Sequence, residues 1–295
     1  MGGLRWTHKS SRSLAKELTR KGNKISYVTV LKLLRQRNYS LRTNRKSQAK
    51  THDPNRDRQF KLLARRRRKC LREGVPIISI DCKKKELIGN FKNSGVTWRQ
   101  HAREVFDHDF PSWAEGRAVP FGIYDIARNE GFVSVGISSE TADFVTDAIY
   151  KWWMQVGRCH YPNATRLVIE ADSGGANNPR TWLWRTRLQR LSDKLGMQIS
   201  VGHFPPGASK WNLIEHRMFN LISMNWAGEP LVSYETVLKY IRSTRSTTGF
   251  RCRAILNPQK YPTKVEVVQD EKDAINMKRN KVLPQWNYTV HPRGL

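Results

Sequence analysis

Residues 167–180 read LVIEADSGGANNPR. Leu167, Val168 and Ile169 form the short apolar run of a central strand, and Gly174 and Gly175 follow where the backbone must turn. Between them stand two acids, Glu170 and Asp172. Alternate side chains of an extended strand share a face, so these two point the same way. A strand that ends in a carboxylate ahead of a turn and a helix is the unit from which open α/β sheets assemble sites at their C-terminal edge.

Working outward, the same alternation of elements recurs. "VPIISIDC" predicts another central strand, ending in Asp81 and Cys82. "VPFGIYDIARNEGFVSVGIS" predicts two strands, 121–127 and 131–137, joined by a tight turn at 128–131. "TADFVTDAIYKWWMQVGRCHYP" has a helical period through Phe144, Ala148 and Trp152 and an expected stop at Gly157. "RTWLWRTRLQRLSDKLG" predicts a helix and "MQISVGHF" a strand. Trp152, Trp153, Trp182 and Trp184 fall in helical segments and are expected in the core. The pattern predicts an α/β fold with a mixed sheet. Beyond about Gly249 the sequence is irregular and basic, and no element is predicted there.

The chain of 295 residues is long enough for one large or two smaller domains. Its 53 Lys and Arg against 25 Asp and Glu give a formal net charge of +28, which implies a polyanionic partner, nucleic acid first. No apolar run approaches the ~18 residues of a spanning helix and no signal peptide opens the chain, so it reads as soluble and intracellular. Cys70, Cys82, Cys159 and Cys252 stand far apart without zinc-ligand spacing and read as reduced thiols.

The N-terminal quarter is the most basic. "SSRSLAKELTRKG" predicts a short helix capped by Ser10 or Ser11 and stopped at Gly22. "SYVTVLKLLRQRNYS" predicts a second, capped by Ser26, with Val28, Leu31 and Leu34 inward and Thr29, Lys32 and Arg35 outward. The pair makes a helix-turn-helix hypothesis, with those three outward residues toward DNA; a plain solvated hairpin is the alternative. Residues 40–57 read as a basic linker. "RQFKLLARRRRKCLRE" predicts a helix with Phe60, Leu63 and Leu71 inward, whose run from Arg65 and Arg66 onward is either a DNA-facing ridge or a solvated face. The expected segments are 1–52 (helix-turn-helix), 53–74 (basic linker helix), 75–248 (catalytic α/β domain) and 249–295 (basic extension).

Asp81 and Asp172 end predicted strands. "HFPPGASKWNLIEHRMFNLI" offers a third acid, with Ser209 as N-cap and Asn212 and Glu215 on one helical face. Three carboxylates from three elements can hold two hard cations about 3.5–4 Å apart, which clamp the attacking and leaving oxygens of a phosphodiester. Lys83 and Lys84, after the first acid, are expected to neutralise phosphates, as is Lys85. His203 and His216 either order the site, contact DNA or are structural. The "SGGANN" stretch either approaches a phosphate or is a plain turn capped by Asn178 or Thr181. Glu170 is either a supporting group behind the site or an accidental acid, and no role is assigned to it.

Pro206, Ser209, Asn212 and Glu215 stand in the P-x-x-S-x-x-N-x-x-E spacing that carries the last acid of mariner-like DDE transposases. With "SIDCKKKELIGNFKN", "YDIARNEGFVSVGI" and "QWNYTV", they make the chain resemble, from about Leu4 to Val290, the Rhodopirellula-type DDE transposases of bacterial insertion sequences. The resemblance implies an RNase H-like catalytic domain behind a helix-turn-helix, with Asp81, Asp172 and Glu215 as catalytic metal ligands. It implies Mg²⁺, with Mn²⁺ able to substitute, double-stranded DNA as transposon ends and target, and a homo-oligomer on that DNA. It also implies a cytoplasmic, nucleoid-associated location in a bacterium, no membrane, and metal-dependent strand cleavage and transfer. Similar sequences carry Thr after the first acid and Gly after the second, where this chain has Cys82 and Ser173, and they have further sequence before the helix pair. A truncated copy that binds or represses without cutting, and a nuclease of the same fold, are the alternative expectations.

Overall fold

The structure is a computed structural model that describes residues 7–42, 53–208 and 211–294. Ser209, the expected N-cap ahead of Glu215, and linker positions 43–52 lie outside the described residues. The chain divides into two compact units, Met1–Lys50 and Thr51–Leu295.

The first unit holds α1 (Ser11–Arg20) and α2 (Tyr27–Gln36). The Ser10 hydroxyl accepts from the Ser13 N–H and the Ser26 hydroxyl from the Thr29 N–H, so each helix starts at a side-chain cap. Thr29, Lys32 and Arg35 are exposed. The inward stripe of α2 differs from the expected one: Val30 is buried, Leu31 and Leu34 are half-buried, and Val28 is 59% exposed. Val28 precedes Val30 by two residues, about 200° round the helix.

The second unit opens with α3 (Arg56–Glu73) and is organised by one mixed sheet. Its strands are β1 (Ile77–Cys82), β2 (Glu86–Ile88), β3 (Gly116–Asp125), β4 (Glu130–Gly136), β5 (Arg166–Ala171), β6 (Gln198–His203), β7 (Arg251–Asn257), β8 (Met277–Arg279) and β9 (Asn287–Val290). The order is β7-β4-β3-β1-β5-β6-β9-β8, with β2 on β3. At the centre β1 runs parallel to β5 and β5 to β6, while β3 is antiparallel to both β1 and β4. The stretch after Gly249, expected to be irregular, supplies β7 against β4 and β9 against β6. β8 and β9 are short, at three and four residues, and β7 alternates charged and buried residues only over its first half.

The helices are α4 (Ala142–Trp152), α5 (Arg158–His160), α6 (Trp182–Leu195), α7 (Asn220–Asn225), α8 (Tyr234–Ser243) and α9 (Gln269–Asp273). The expected stop at Gly157 is absent, because a π-helical turn, Trp153–Gly157, carries α4 into α5. On one face of the sheet Ile78, Ile80, Ile169 and Ala171 join Trp152, Trp153 and Trp184 in a single core. On the other, Val133 and Val135 meet Met218, Phe219, Trp226 and Ile241. Trp182 departs from expectation: it is 45% exposed at the first turn of α6, with the Arg185 guanidinium 4.9 Å and the Lys272 ammonium 5.9 Å from its ring. Among the described residues no helix is long and apolar enough to cross a membrane.

Helix α3 turns charge inward. Leu63 and Cys70 are buried as a helical stripe requires, and Arg66 lies between them at i+3 and i−4, on that same stripe. Its Nη1 donates to the Val201 carbonyl at 3.3 Å, and its guanidinium lies close over Gly202, where a Cβ would stand 1.6 Å from Nη2. Arg66 is therefore no DNA-facing residue, whereas Arg65 is exposed. Leu71, expected inward, is 44% exposed because Cys70 takes the inward position. Arg67 Nη2 lies 2.5 Å from Glu170 Oε2, whose side chain is fully buried. The strand acid without a role is thus the anchor for α3. Glu170→Ala would leave two inward guanidinium groups without a counter-charge, and removing one partner of a buried pair costs roughly 3–5 kcal/mol. Urea unfolding should show a loss of that order; a loss below ~1 kcal/mol would contradict the anchor.

Candidate active site

The parallel register of β1 and β5 pairs Ile77 with Val168 and Ile80 with Ala171. Carried one step further, it sets Asp81 beside Asp172, so the two acids are neighbours because their strands are. Asp81 lies on the face of Ser79, and Asp172 on the face of Glu170. Both acids therefore look toward the segment between β6 and α7.

That segment brings Asn212 and Glu215. Asn212 is fully buried; its Oδ1 accepts from the Ser79 hydroxyl at 2.5 Å and its Nδ2 donates to Asp81 Oδ2 at 3.0 Å. The other Asp81 oxygen accepts from the Cys82 N–H at 2.8 Å. Glu215 opens a π-helical turn, Glu215–Phe219, whose Met218 and Phe219 are buried. Asp172 is held differently. Its Oδ1 accepts from Asn177 Nδ2 at 2.8 Å, and its backbone carbonyl accepts from His203 Nδ1 at 2.6 Å. In the "SGGANN" turn Gly175 has φ +58°, which favours glycine, and Thr181 caps α6 without a side-chain bond to its amides.

Burial raises the Asp81 carboxyl first, and the charges of Asp172 and Glu215 add to it, carrying its pKa to about 7. Burial also raises Asp172, opposed by the Asn177 amide and the Gly174 N–H. Glu215 is raised by burial, opposed by His216 and Lys83 and reinforced by Asp172. The three acids thus share one field, although among the described residues no three His, Cys, Asp or Glu side chains converge closely enough to chelate an ion. His203 is fully buried, and burial pushes its imidazole down to about 4. It is neutral near pH 7 and belongs to the frame of the site, as does Asn212. His216 is exposed beside Glu215.

A fourth acid was not foreseen. Glu140 adds its charge to the field on Asp172 and bonds to the Cys82 thiol, while Lys85 Nζ lies 3.6 Å from its carboxylate. It precedes α4 with no periodicity to mark it; only the fold brings it across. Beside the acids a cleft of about 620 Å³ is lined by Lys83, Lys84, Lys85, Lys92, Arg117 and Glu140 among others. Lys84 and Lys85 are exposed there. Lys83 is engaged, with its ammonium 3.0 Å from Glu86 and 4.5 Å from the centre of the Trp226 ring.

Because the folded Asp81 titrates near 7 against an ordinary value of 3.8, its ionisation weakens the fold progressively from about pH 4 to pH 7. Asp81→Asn removes that cost, and Asn212 can reverse its amide because the Ser79 hydroxyl both donates and accepts. Without metal, the variant should melt above the parent at pH 8, by roughly 2–4 °C for each kcal/mol relieved, with the gap closing toward pH 4. Calorimetry across pH checks this; a gap independent of pH would contradict it.

The sequence profile described as "Rhodopirellula transposase DDE domain" matches residues 1–292. No curated protein matches the chain. Among solved structures, the "Mos1 transposase paired-end complex with left transposon end" is similar at 13% identity and TM-score 0.48, covering 79% of this chain and 65% of that one. The "pre-cleavage Mos1 transpososome" is similar at 12% identity and TM-score 0.47, covering 82% and 72%. The "mariner Mos1 paired end complex with Mg" gives 14% identity and TM-score 0.47. The chain spans a little under two thirds of the first of these. With the profile running from one end of the acid-bearing fold to the other, the chain belongs to the Rhodopirellula transposase DDE domain family.

Proposed function

We propose that the chain is a DDE transposase with an RNase H-like catalytic core, in which Asp81, Asp172 and Glu215 hold divalent metal for cleavage and transfer of DNA strands. One observation carries this reading: parallel pairing of β1 and β5 sets two acids side by side, within the field of a third. The central order β4-β3-β1-β5-β6, with β3 antiparallel, agrees with an RNase H-like core.

The donor set suits the metal. Carboxylate oxygens are the ligands that Mg²⁺ and Mn²⁺ prefer, and the raised Asp81 carboxyl reflects a dry site short of positive charge. When bound, such ions act as Lewis acids toward a phosphodiester and make water or a 3′-OH a better nucleophile. The chain's own residues do the positioning. Asn212 and the Cys82 N–H fix both oxygens of Asp81, and Asn177 fixes one of Asp172. Lys84, Lys85, Lys92 and Arg117 give the adjoining cleft the charge to seat phosphates. Lys83 contributes mainly through the field at Glu215, since Glu86 and Trp226 already hold it.

In the N-terminal unit, Thr29, Lys32 and Arg35 on the exposed face of α2 are proposed to read the element's terminal repeat, with exposed Arg65 of α3 on flanking phosphate. A homo-oligomer on DNA follows because two ends must be joined, and its substrate puts the protein on a bacterial nucleoid. The test is Mg²⁺- or Mn²⁺-dependent nicking of a labelled duplex bearing the element's end, with and without a supplied 3′-OH end. The parent should nick and join, and Asp172→Asn should fall to background while binding the duplex equally well. Binding without cutting by both proteins would contradict the catalytic reading, and cutting without joining would leave a nuclease.

A further inference from the structure

Asp172 is the first residue beyond β5: the ladder with β1 brings it level with Asp81 but ends one residue short of it. The last pair of the β5–β6 ladder is Ala171 with His203. Beyond that pair the strand ends stay joined by other bonds. The Phe204 N–H donates to the Ala171 carbonyl at 2.8 Å, and the Ser173 hydroxyl to the Phe204 carbonyl at 2.5 Å. His203 supplies the third bond, from Nδ1 to the Asp172 carbonyl at 2.6 Å. A carbonyl oxygen only accepts, so Nδ1 carries the proton and Nε2 of the neutral ring is an acceptor.

Nε2 lies 2.8 Å from the Tyr288 hydroxyl, which in turn accepts from Trp184 Nε1 at 2.7 Å. Every donor in the series has one acceptor: indole to phenol, phenol to imidazole, imidazole to the Asp172 peptide. His203 is fully buried, and Trp184 and Tyr288 are buried with it. The backbone of His203 is tied as well, because Gln59 Nε2 donates to its carbonyl at 2.8 Å while Gln59 and Asn287 exchange amide bonds. A buried polar series with directed bonds fixes orientation, because no member can turn without leaving a buried group unpaired.

We propose that His203 and Tyr288 are positioning residues for Asp172, so that the C-terminal strand β9 and helix α6 set the second acid through one hydrogen-bonded series. The proposal rests on the metal-binding reading of Asp172 above. Neither side chain touches DNA or metal; each acts through the Asp172 peptide. Partners that orient a metal ligand from behind it typically change affinity by about 10–100-fold when lost.

The experiment measures Mn²⁺ affinity of the full chain by titration calorimetry, and the Mn²⁺ dependence of nicking, for the parent, Asp172→Asn, Tyr288→Phe, His203→Phe and His203→Asn. Thermal unfolding of each variant shows that it is folded at the assay temperature. Tyr288→Phe removes one hydroxyl and keeps the ring. It should weaken Mn²⁺ by about tenfold and shift the metal requirement of nicking by the same factor, leaving the saturated rate nearly unchanged. His203→Phe should lose more. His203→Asn, which keeps a nitrogen donor near the Nδ1 position, should recover part of that loss, a rescue that a merely structural role would not produce. If Asp172→Asn loses Mn²⁺ but Tyr288→Phe and His203→Phe bind it as the parent does, this proposal is overturned and the metal reading stands. If the parent and Asp172→Asn bind Mn²⁺ alike, the metal reading fails and takes the proposal with it.

Discussion

Everything at the candidate site depends on the parallel pairing of β1 with β5. Two strands far apart in sequence lie side by side in a register that puts Asp81 and Asp172 level, so two carboxylates meet where burial already disfavours the charge of each. Burial first, and the charges of Asp172 and Glu215 after it, raise the carboxyl of Asp81. Such a cluster weakens the fold, and proteins that carry one usually do so for function. The chain belongs to the DDE transposase family, and the metal site proposed above would give that cost a use.

The acids stay in place because a second set of polar groups is satisfied behind them. Ser79 and Asn212 hold Asp81 from one side, while Asn177 and His203 hold Asp172 from the other. Beneath them Glu170 draws the guanidinium of Arg67 onto the sheet, and Arg66 lies flat on β6 over Gly202. These contacts span the chain from α3 to β9. The strands after Gly249 accordingly lie inside the sheet and are not appended to it.

Much of this was legible in the sequence, and the gaps have physical causes. The apolar runs before Asp81 and Asp172 are long and β-branched, and a buried parallel strand is read most easily from such runs. The cap serines of α1 and α2 were plain because capping is local. What failed was inference across space. Arg66 sits on the inward stripe of α3 at helical spacing from Leu63 and Cys70, yet within a run of four arginines its charge outweighed its position. Glu140 and Tyr288 reach the acids only through the fold, and no local period marks them. Leu71 stands one step from the buried Cys70 and Val28 two steps from the buried Val30, because short amphipathic stretches leave the phase of the stripe open.

The central claim is that Asp81, Asp172 and Glu215 together form a divalent-metal site. The most direct measurement is the anomalous difference density of crystals grown with Mn²⁺. The account predicts a peak between the ends of β1 and β5, within ligating distance of Asp81 and Asp172 and absent in Asp172→Asn crystals. A peak elsewhere on the protein, with the two aspartates still held by Asn212 and Asn177 alone, would contradict it.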